Sequence, residues 1–264
     1  MRLSDVIQVL EAIAPSRLAE GWDNVGLLVG DPGAETKAAL LCIDYTPEVA
    51  KEAREKGCQL VISYHPPIFE PLKKLVSPSP IFEAIRDGIA IFSHHTALDV
   101  AEGGTNDFLA DVLGLGARAP MRSPMAKMGP AQEGEKLGLG RIGVLERPTP
   151  RPELFERIKR GLGISALLVS GPLEGEVSKV AASAGAAGNM VDDALIQHAE
   201  LYLTGEMRHH DALKAAKFGM TVVCALHSNS ERAALARIRE RIAAALPSLD
   251  VSLSTSDRDP FGIV

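Results

Sequence analysis

Short apolar runs that end in groups able to bind a metal ion or polarise a substrate recur along this 264-residue sequence. Asp44 follows AALLCI, His65 follows LVISY, and His95 with Asp99 follows AIFSH. Glu206 follows LYLTG, and His227 follows TVVCAL. In open α/β sheets, ligands bind in the crevice outside the carboxyl ends of the strands. Five apolar runs finishing in such residues therefore point to a polar site at strand ends.

The spacing within each group narrows the chemistry. His227 and Glu231 are four residues apart, with Ser228, Asn229 and Ser230 between them to cap a following helix. A strand-end imidazole and a first-turn carboxylate in that arrangement can face one cation, and the helix N-terminus stabilises the carboxylate. An ordinary first-turn glutamate would give the same residues. His95 and Asp99 are also four apart, and the sequence SHHTALD reads as a loop. Its carboxylate can bind a metal directly or fix the tautomer of a ligating histidine. His94 is open to three roles: ligand, hydrogen-bond donor or solvated neighbour.

His65 lies between ISY and PPIF, where two prolines stiffen the turn that follows. Tyr64 suits either a hydrogen bond to substrate or water, or a half-buried strand end. His209 and His210 open a helix after GEM, where a solvated helix face explains them as well as a site does. Mixed nitrogen and oxygen donors suit Zn, Mn, Fe or Ni, and argue against a cysteine zinc knuckle or a calcium loop. Two ions about 3.5–4 Å apart, bridged by Glu231, are the more distinctive form of such a site. The turn SAGAAGNM (183–190) has neither a Walker lysine nor GxGxxG spacing, so it reads as a tight structural turn before an anion loop.

The elements that must carry these residues alternate. Strands are expected at Ala38–Ile43, Leu60–Ser63 and Ile89–Ser93, and helices at 4–13, Pro47–Lys56, 80–87 and Asn106–Leu113. Residues 118–140 lack periodicity and read as a boundary or surface excursion. A strand in GRIGVLERP, a helix in PELFERIKRGLG, and strands in ISALLVSG and EVSKVAASAG follow. The last third repeats the first pattern: helix 190–198, strand Glu200–Leu203, helix 209–217, strand Met220–Leu226, and one long helix over Glu231–Leu246. Short strands separated by helices predict an α/β protein with mainly parallel or mixed central sheets flanked by helices.

Composition closes off several classes. The chain is 46% hydrophobic but only 4% aromatic, so its cores must be built from Leu, Ile, Val and Ala. A net charge of −6 argues against a broad nucleic-acid surface. The first residues, MRLSDVIQVLEAIAPSRL, suit an amphipathic helix better than a secretory signal, and no apolar run is long enough to cross a bilayer. Cys42, Cys58 and Cys224 are scattered, which fits a reducing cytoplasm and buried small side chains.

Six stretches together resemble the NIF3-like family, also labelled the GTP cyclohydrolase 1 type 2 homologue family. They are WDNVGLLVG (22–30), LCIDYTPEVAKEA (41–53), GCQLVISYHPPIF (57–69), FSHHTALDVAEGGTNDFLADVLGL (92–115), LTGEMRHHDALKAAKFG (203–219) and LHSNSE (226–231). They span nearly the whole chain in order. The resemblance implies two α/β domains: residues 1–125 with about 190–264 bearing the metals, and about 126–189 forming a smaller middle domain. It implies a homohexamer built as a trimer of dimers. It also implies two divalent cations per subunit, held by His65, Asp99, His227 and Glu231, with His95 in support.

The sequence departs from the family pattern at two places. Tyr64–His65 stands where many bacterial members have two adjacent histidines, and it matches the SYHPPIF form of eukaryote-like members. Gly185–Ala186–Ala187–Gly188 replaces a GSGG-like turn and removes a serine hydroxyl. The chain also lacks the length for the large domain inserted in some members, and it has no cysteine/histidine zinc constellation like that of the well-established cyclohydrolase. The leading functional expectation is metal-assisted hydrolysis of a phosphorylated or nucleotide-like small molecule, with Glu231, Tyr64 and His95 as catalytic candidates. The alternatives are a non-enzymatic, metal-dependent binding or regulatory ring, and metal storage or trafficking.

Overall fold

The computed structural model describes residues 1–122 and 137–264. In chain order its strands are β1 (Gly26–Val29), β2 (Ala38–Cys42), β3 (Leu60–Ser63), β4 (Ala90–Ser93), β5 (Ala117–Ala119) and β6 (Arg141–Pro150). They continue with β7 (Leu168–Ser170), β8 (Glu176–Ser183), β9 (Leu201–Thr204), β10 (Thr221–Cys224) and β11 (Asp250–Leu253). Packing divides the chain into two units, Met1–Leu98 with Leu235–Arg258, and Asp99–Ala234 with Asp259–Val264. Each has its own sheet and its own core.

The first unit holds a five-stranded sheet in the order β1-β4-β3-β2-β11. Strands β11, β2, β3 and β4 run parallel, and β1 closes the edge antiparallel to β4. All four residues of β3 and of β4 are buried, as a parallel strand covered on both faces requires. Thr46 caps the helix Pro47–Glu55 by accepting from the Val49 N–H at 3.3 Å, and Pro47 presets its first turn. Leu40, Val49, Ala53, Val61, Ile81 and Ile91 pack in one cluster beneath the sheet.

The second unit holds a six-stranded sheet in the order β5-β6-β8-β9-β10-β7. Its centre, β8, β9 and β10, is parallel, while β6 and β7 lie antiparallel on either side. The helix Arg151–Leu162 ends at Gly163, which takes φ 69° as its left-handed cap. Leu154, Ile158, Val180, Leu201, Leu203 and Val223 form its main cluster. Arg141 is 1% exposed and binds both carboxylate oxygens of Asp107, at 2.8 and 3.1 Å.

The sheet pairing draws the division differently from the expected 1–125 plus 190–264 against 126–189. Val180 sits opposite Leu201 and Ser183 opposite Thr204, so β9 and β10 complete the sheet of the middle segment, while β11 pairs with β2. The matching helix–strand rhythm of the first and last thirds reflects the parallel centres of two separate mixed sheets. The boundary expected near residue 125 lies outside the described residues.

Smaller differences have local causes. The segment GWDNVGLLVGDP contains β1, a half-buried edge strand absent from the expected strands; it starts at Gly26 and is followed by Gly30. SHHTALD is no loop: Thr96–Val100 is a short helix. The long final helix is broken into Asn229–Arg232 and Ala234–Ala245. No helix among the described residues is long and apolar enough to cross a membrane.

Candidate functional site

In the first unit, the chain leaving the parallel strands stays hydrogen-bonded for another residue or two. Tyr64 N–H donates to the Cys42 carbonyl at 2.8 Å, His65 N–H to Ile43 at 2.9 Å, and His95 N–H to Tyr64 at 3.1 Å. This ladder fixes the backbone of His65 and His95 and sets Asp44 beside His65. The His65 Nδ1–Asp44 Oδ1 distance is 2.9 Å, and the His95 Nδ1–Asp23 Oδ1 distance is 2.7 Å. A carboxylate only accepts, so each Nδ1 carries the hydrogen, and in the neutral ring Nε2 is then the atom that can bind a cation.

Asp23 is the more tightly built of the two partners. Its side chain is wholly buried and also accepts from the Thr96 N–H at 3.1 Å and from the Thr96 hydroxyl. Burial alone would raise its carboxyl, but hydrogen bonds from His95 and Thr96 outweigh that and hold it below the usual range. His95 adopts φ 38°, an uncommon conformation for a residue with a Cβ. The rings of His65 and His95 meet edge to face with centroids 5.5 Å apart, and the buried Tyr64 ring lies edge-on to His65 at 5.4 Å.

His94 takes the donor role among the three left open. It is 3% exposed, and its Nε2 donates to the Leu10 carbonyl at 3.0 Å. Burial pushes its pKa down to about 4, so it is a neutral histidine that ties the strand end to the first helix.

In the second unit, the ends of β8, β9 and β10 carry Gly185, Glu206 and His227. His227 Nδ1 lies 3.2 Å from Glu206 Oε1, and its Nε2 lies 3.4 Å from Glu231 Oε1. With Nδ1 committed to Glu206, the facing Nε2 and Oε1 are both acceptors. Such a pair is satisfied by a cation placed between or beside them, either a proton or a metal ion. Glu231 is 3% exposed, as expected of a first-turn carboxylate turned inward.

Three neighbours shape this pair. Ser230 Oγ donates to the His227 carbonyl at 2.6 Å and accepts from Gly185 N–H at 2.9 Å. Gly185 has φ +65°, and a Cβ there would stand 2.7 Å from Glu231 Oε1 and 3.4 Å from His227 Nε2, so both backbone and space require glycine. Asn106, 1% exposed, donates to the Asp99 carbonyl and accepts from Ala184 N–H, each at 2.9 Å. It thereby ties the backbone of Asp99 to the end of β8.

The expected residues thus fall in two places. His65, His95 and Tyr64 belong to the first unit, and Asp99, His227 and Glu231 to the second. The turn at 183–190 is structural, since its Gly185 N–H serves Ser230. The expected cap at Ser228 is not made by its side chain, which donates to Asp259 at 2.8 Å. His209 and His210 are exposed at the start of the helix His209–Lys217, with their rings packed on each other. The sequence does not announce the roles of Asp23, Asn106 and Ser230. Asp23 meets His95, Asn106 meets Ala184 and Ser230 meets Gly185 across 45 residues or more, which no local spacing reveals, although Asp23 lies within the WDN stretch that carries the family likeness.

A family model described as Duf34/NIF3 (NGG1p interacting factor 3) matches residues 1–260, and the chain belongs to this family. The Protein NIF3 homolog of Schizosaccharomyces pombe is 35% identical, covering 98% of this chain and 96% of its own. A GTP cyclohydrolase 1 type 2 homolog from Clostridium perfringens is 32% identical, with both chains covered in full. Among solved structures, a hypothetical protein from Staphylococcus aureus is 27% identical with a TM-score of 0.88, covering 100% of this chain and 99% of that one. Reduced HcgD from Methanocaldococcus jannaschii is 26% identical with a TM-score of 0.79, covering 96% and 97%.

Proposed function

We propose that this chain is a divalent-metal-dependent hydrolase acting on a phosphorylated or nucleotide-like small molecule, with His65, Asp99, His227 and Glu231 as metal ligands. The observation that carries the reading is the fixing of imidazoles by carboxylates: His65 by Asp44, His95 by Asp23 and His227 by Glu206. A carboxylate on Nδ1 fixes the tautomer in which Nε2 is the ligating atom. The donor set, imidazole nitrogens with carboxylate oxygens and no thiolate, suits Zn, Mn, Fe or Ni. A cation held there would acidify a water molecule and polarise the bond to be cut.

The protein's own groups do the rest. Glu231 has two carboxylate oxygens and is the residue suited to bridge a pair of ions. Asp44, Asp23 and Glu206 keep the imidazoles in the ligating tautomer, and Gly185 keeps the space beside Glu231 open. To Tyr64 and His95 we assign the orienting of water or substrate. The Clostridium relative's name points to a purine nucleotide as one substrate to try. A panel of nucleotides and phosphoesters supplied with Mn²⁺, Zn²⁺ or Fe²⁺ tests the reading. It predicts turnover that Glu231→Ala abolishes; no turnover on any of them, or turnover indifferent to that substitution, rejects it.

The second reading, a metal-dependent binding assembly, is favoured by the words "NGG1p interacting factor" in the family description. It predicts partner binding that chelation reverses, in the absence of turnover. In both readings we place the protein in the cytoplasm as a homohexamer with no membrane role and with nucleic acid the less favoured class of partner. A solution mass of a single chain at micromolar concentration would remove the hexamer.

A further inference from the structure

Trp22 and Phe69 are large aromatic residues that stay 60% and 50% exposed in a chain with very few rings. Their centroids are 5.8 Å apart with planes tilted by 53°. Both also meet His95, Trp22 at 5.9 Å and Phe69 at 6.4 Å. Exposed Leu72, Leu75 and Val76 follow in the sequence, but the two rings are set apart by this shared contact with an oriented imidazole.

The pair is also held in place. Trp22 precedes Asp23, the buried clamp of His95. Asn24 Nδ2 donates to the Ile68 carbonyl at 2.5 Å, which pins the residue before Phe69 to the segment carrying Trp22. Two rings left in water yet fixed from behind form a preorganised stacking surface, and binding there loses little side-chain entropy.

We infer that Trp22 and Phe69 form a stacking platform for a planar heteroaromatic ring, the base of a nucleotide whose polar end lies toward His95. Every base offers a π-face to an indole or phenyl ring, and such stacking tolerates differences among bases. The inference deepens the proposed nucleotide-like substrate and rests on that reading for the role of His95, but the stacking itself requires no turnover.

Trp22 is the only tryptophan in the chain, so intrinsic fluorescence reports on this site alone. The full-length protein is titrated with guanosine and adenosine monophosphates, and with ribose 5-phosphate as the baseless control. Saturable quenching by both nucleotides and none by ribose 5-phosphate is expected. Phe69→Leu, which keeps apolar bulk but removes the π-face, should weaken binding by roughly 5- to 100-fold, while Phe69→Tyr should retain it.

Three results overturn the proposal: no quenching, equal quenching by ribose 5-phosphate, or Phe69→Leu binding like the parent. Emission that changes with protein concentration alone would also overturn it, because a second copy of the chain would then cover the rings. Quenching without turnover would reject the hydrolase and keep the platform. Turnover with no quenching would do the reverse.

Discussion

An imidazole serves as a metal ligand through one nitrogen only when its other nitrogen has somewhere to put a proton. Asp44, Asp23 and Glu206 provide that place for three histidines, and Glu206 is the easiest to test because it is exposed and carries no part of the core. Glu206→Ala should lower divalent-metal affinity by about 10- to 100-fold, measured by competition with a chromogenic chelator, and leave the melting temperature of the metal-free chain unchanged. Equal affinity in the two proteins would mean that Glu206 does not orient His227. At this scale His65, His227 and Glu231 are readable in the sequence because each follows an apolar run at a fixed offset. Asp23 is not, since it meets His95 across 72 residues and only the fold brings them together.

Elements are legible where burial is two-sided and lost where it is partial. Strands β2, β3 and β4 announce themselves as continuous apolar runs, whereas β1 is half-buried throughout and β11 starts exposed. What secures β11 is in part a carboxylate. Glu52, on the helix Pro47–Glu55, accepts from Ser254 Oγ at 2.6 Å and from Thr255 and Ser256 N–H at 3.0 Å, and it pairs with Lys56.

Burial would raise the Glu52 carboxyl, but Lys56, Ser254 and the two backbone donors outweigh it and hold it far below the usual range. A carboxyl with a depressed folded pKa contributes stability that is complete above its unfolded value, about 4.3, and is lost as pH falls toward the folded value. Glu52→Gln should therefore melt lower than the parent at neutral pH, and the difference should shrink in acid below about pH 4. A gap between the two melting curves that holds constant from neutral pH to pH 3 would contradict this role.

For the whole molecule, the α/β class follows from strand–helix alternation, but the division of the chain into two sheets does not. Which strands share a sheet depends on pairing between segments far apart in sequence: β9 and β10 of the last third join β8, whereas β11 of the same third joins β2. Of the four residues proposed as ligands, His65 belongs to one unit and Asp99, His227 and Glu231 to the other. The central claim is that these four residues are metal ligands. Crystals of the full-length protein loaded with Mn²⁺ or Zn²⁺ and measured at the metal's absorption edge test it most directly. The account predicts anomalous peaks within bonding distance of His65, Asp99, His227 and Glu231. Peaks confined to other residues, such as the exposed pair His209 and His210, or none at saturating metal, would contradict it.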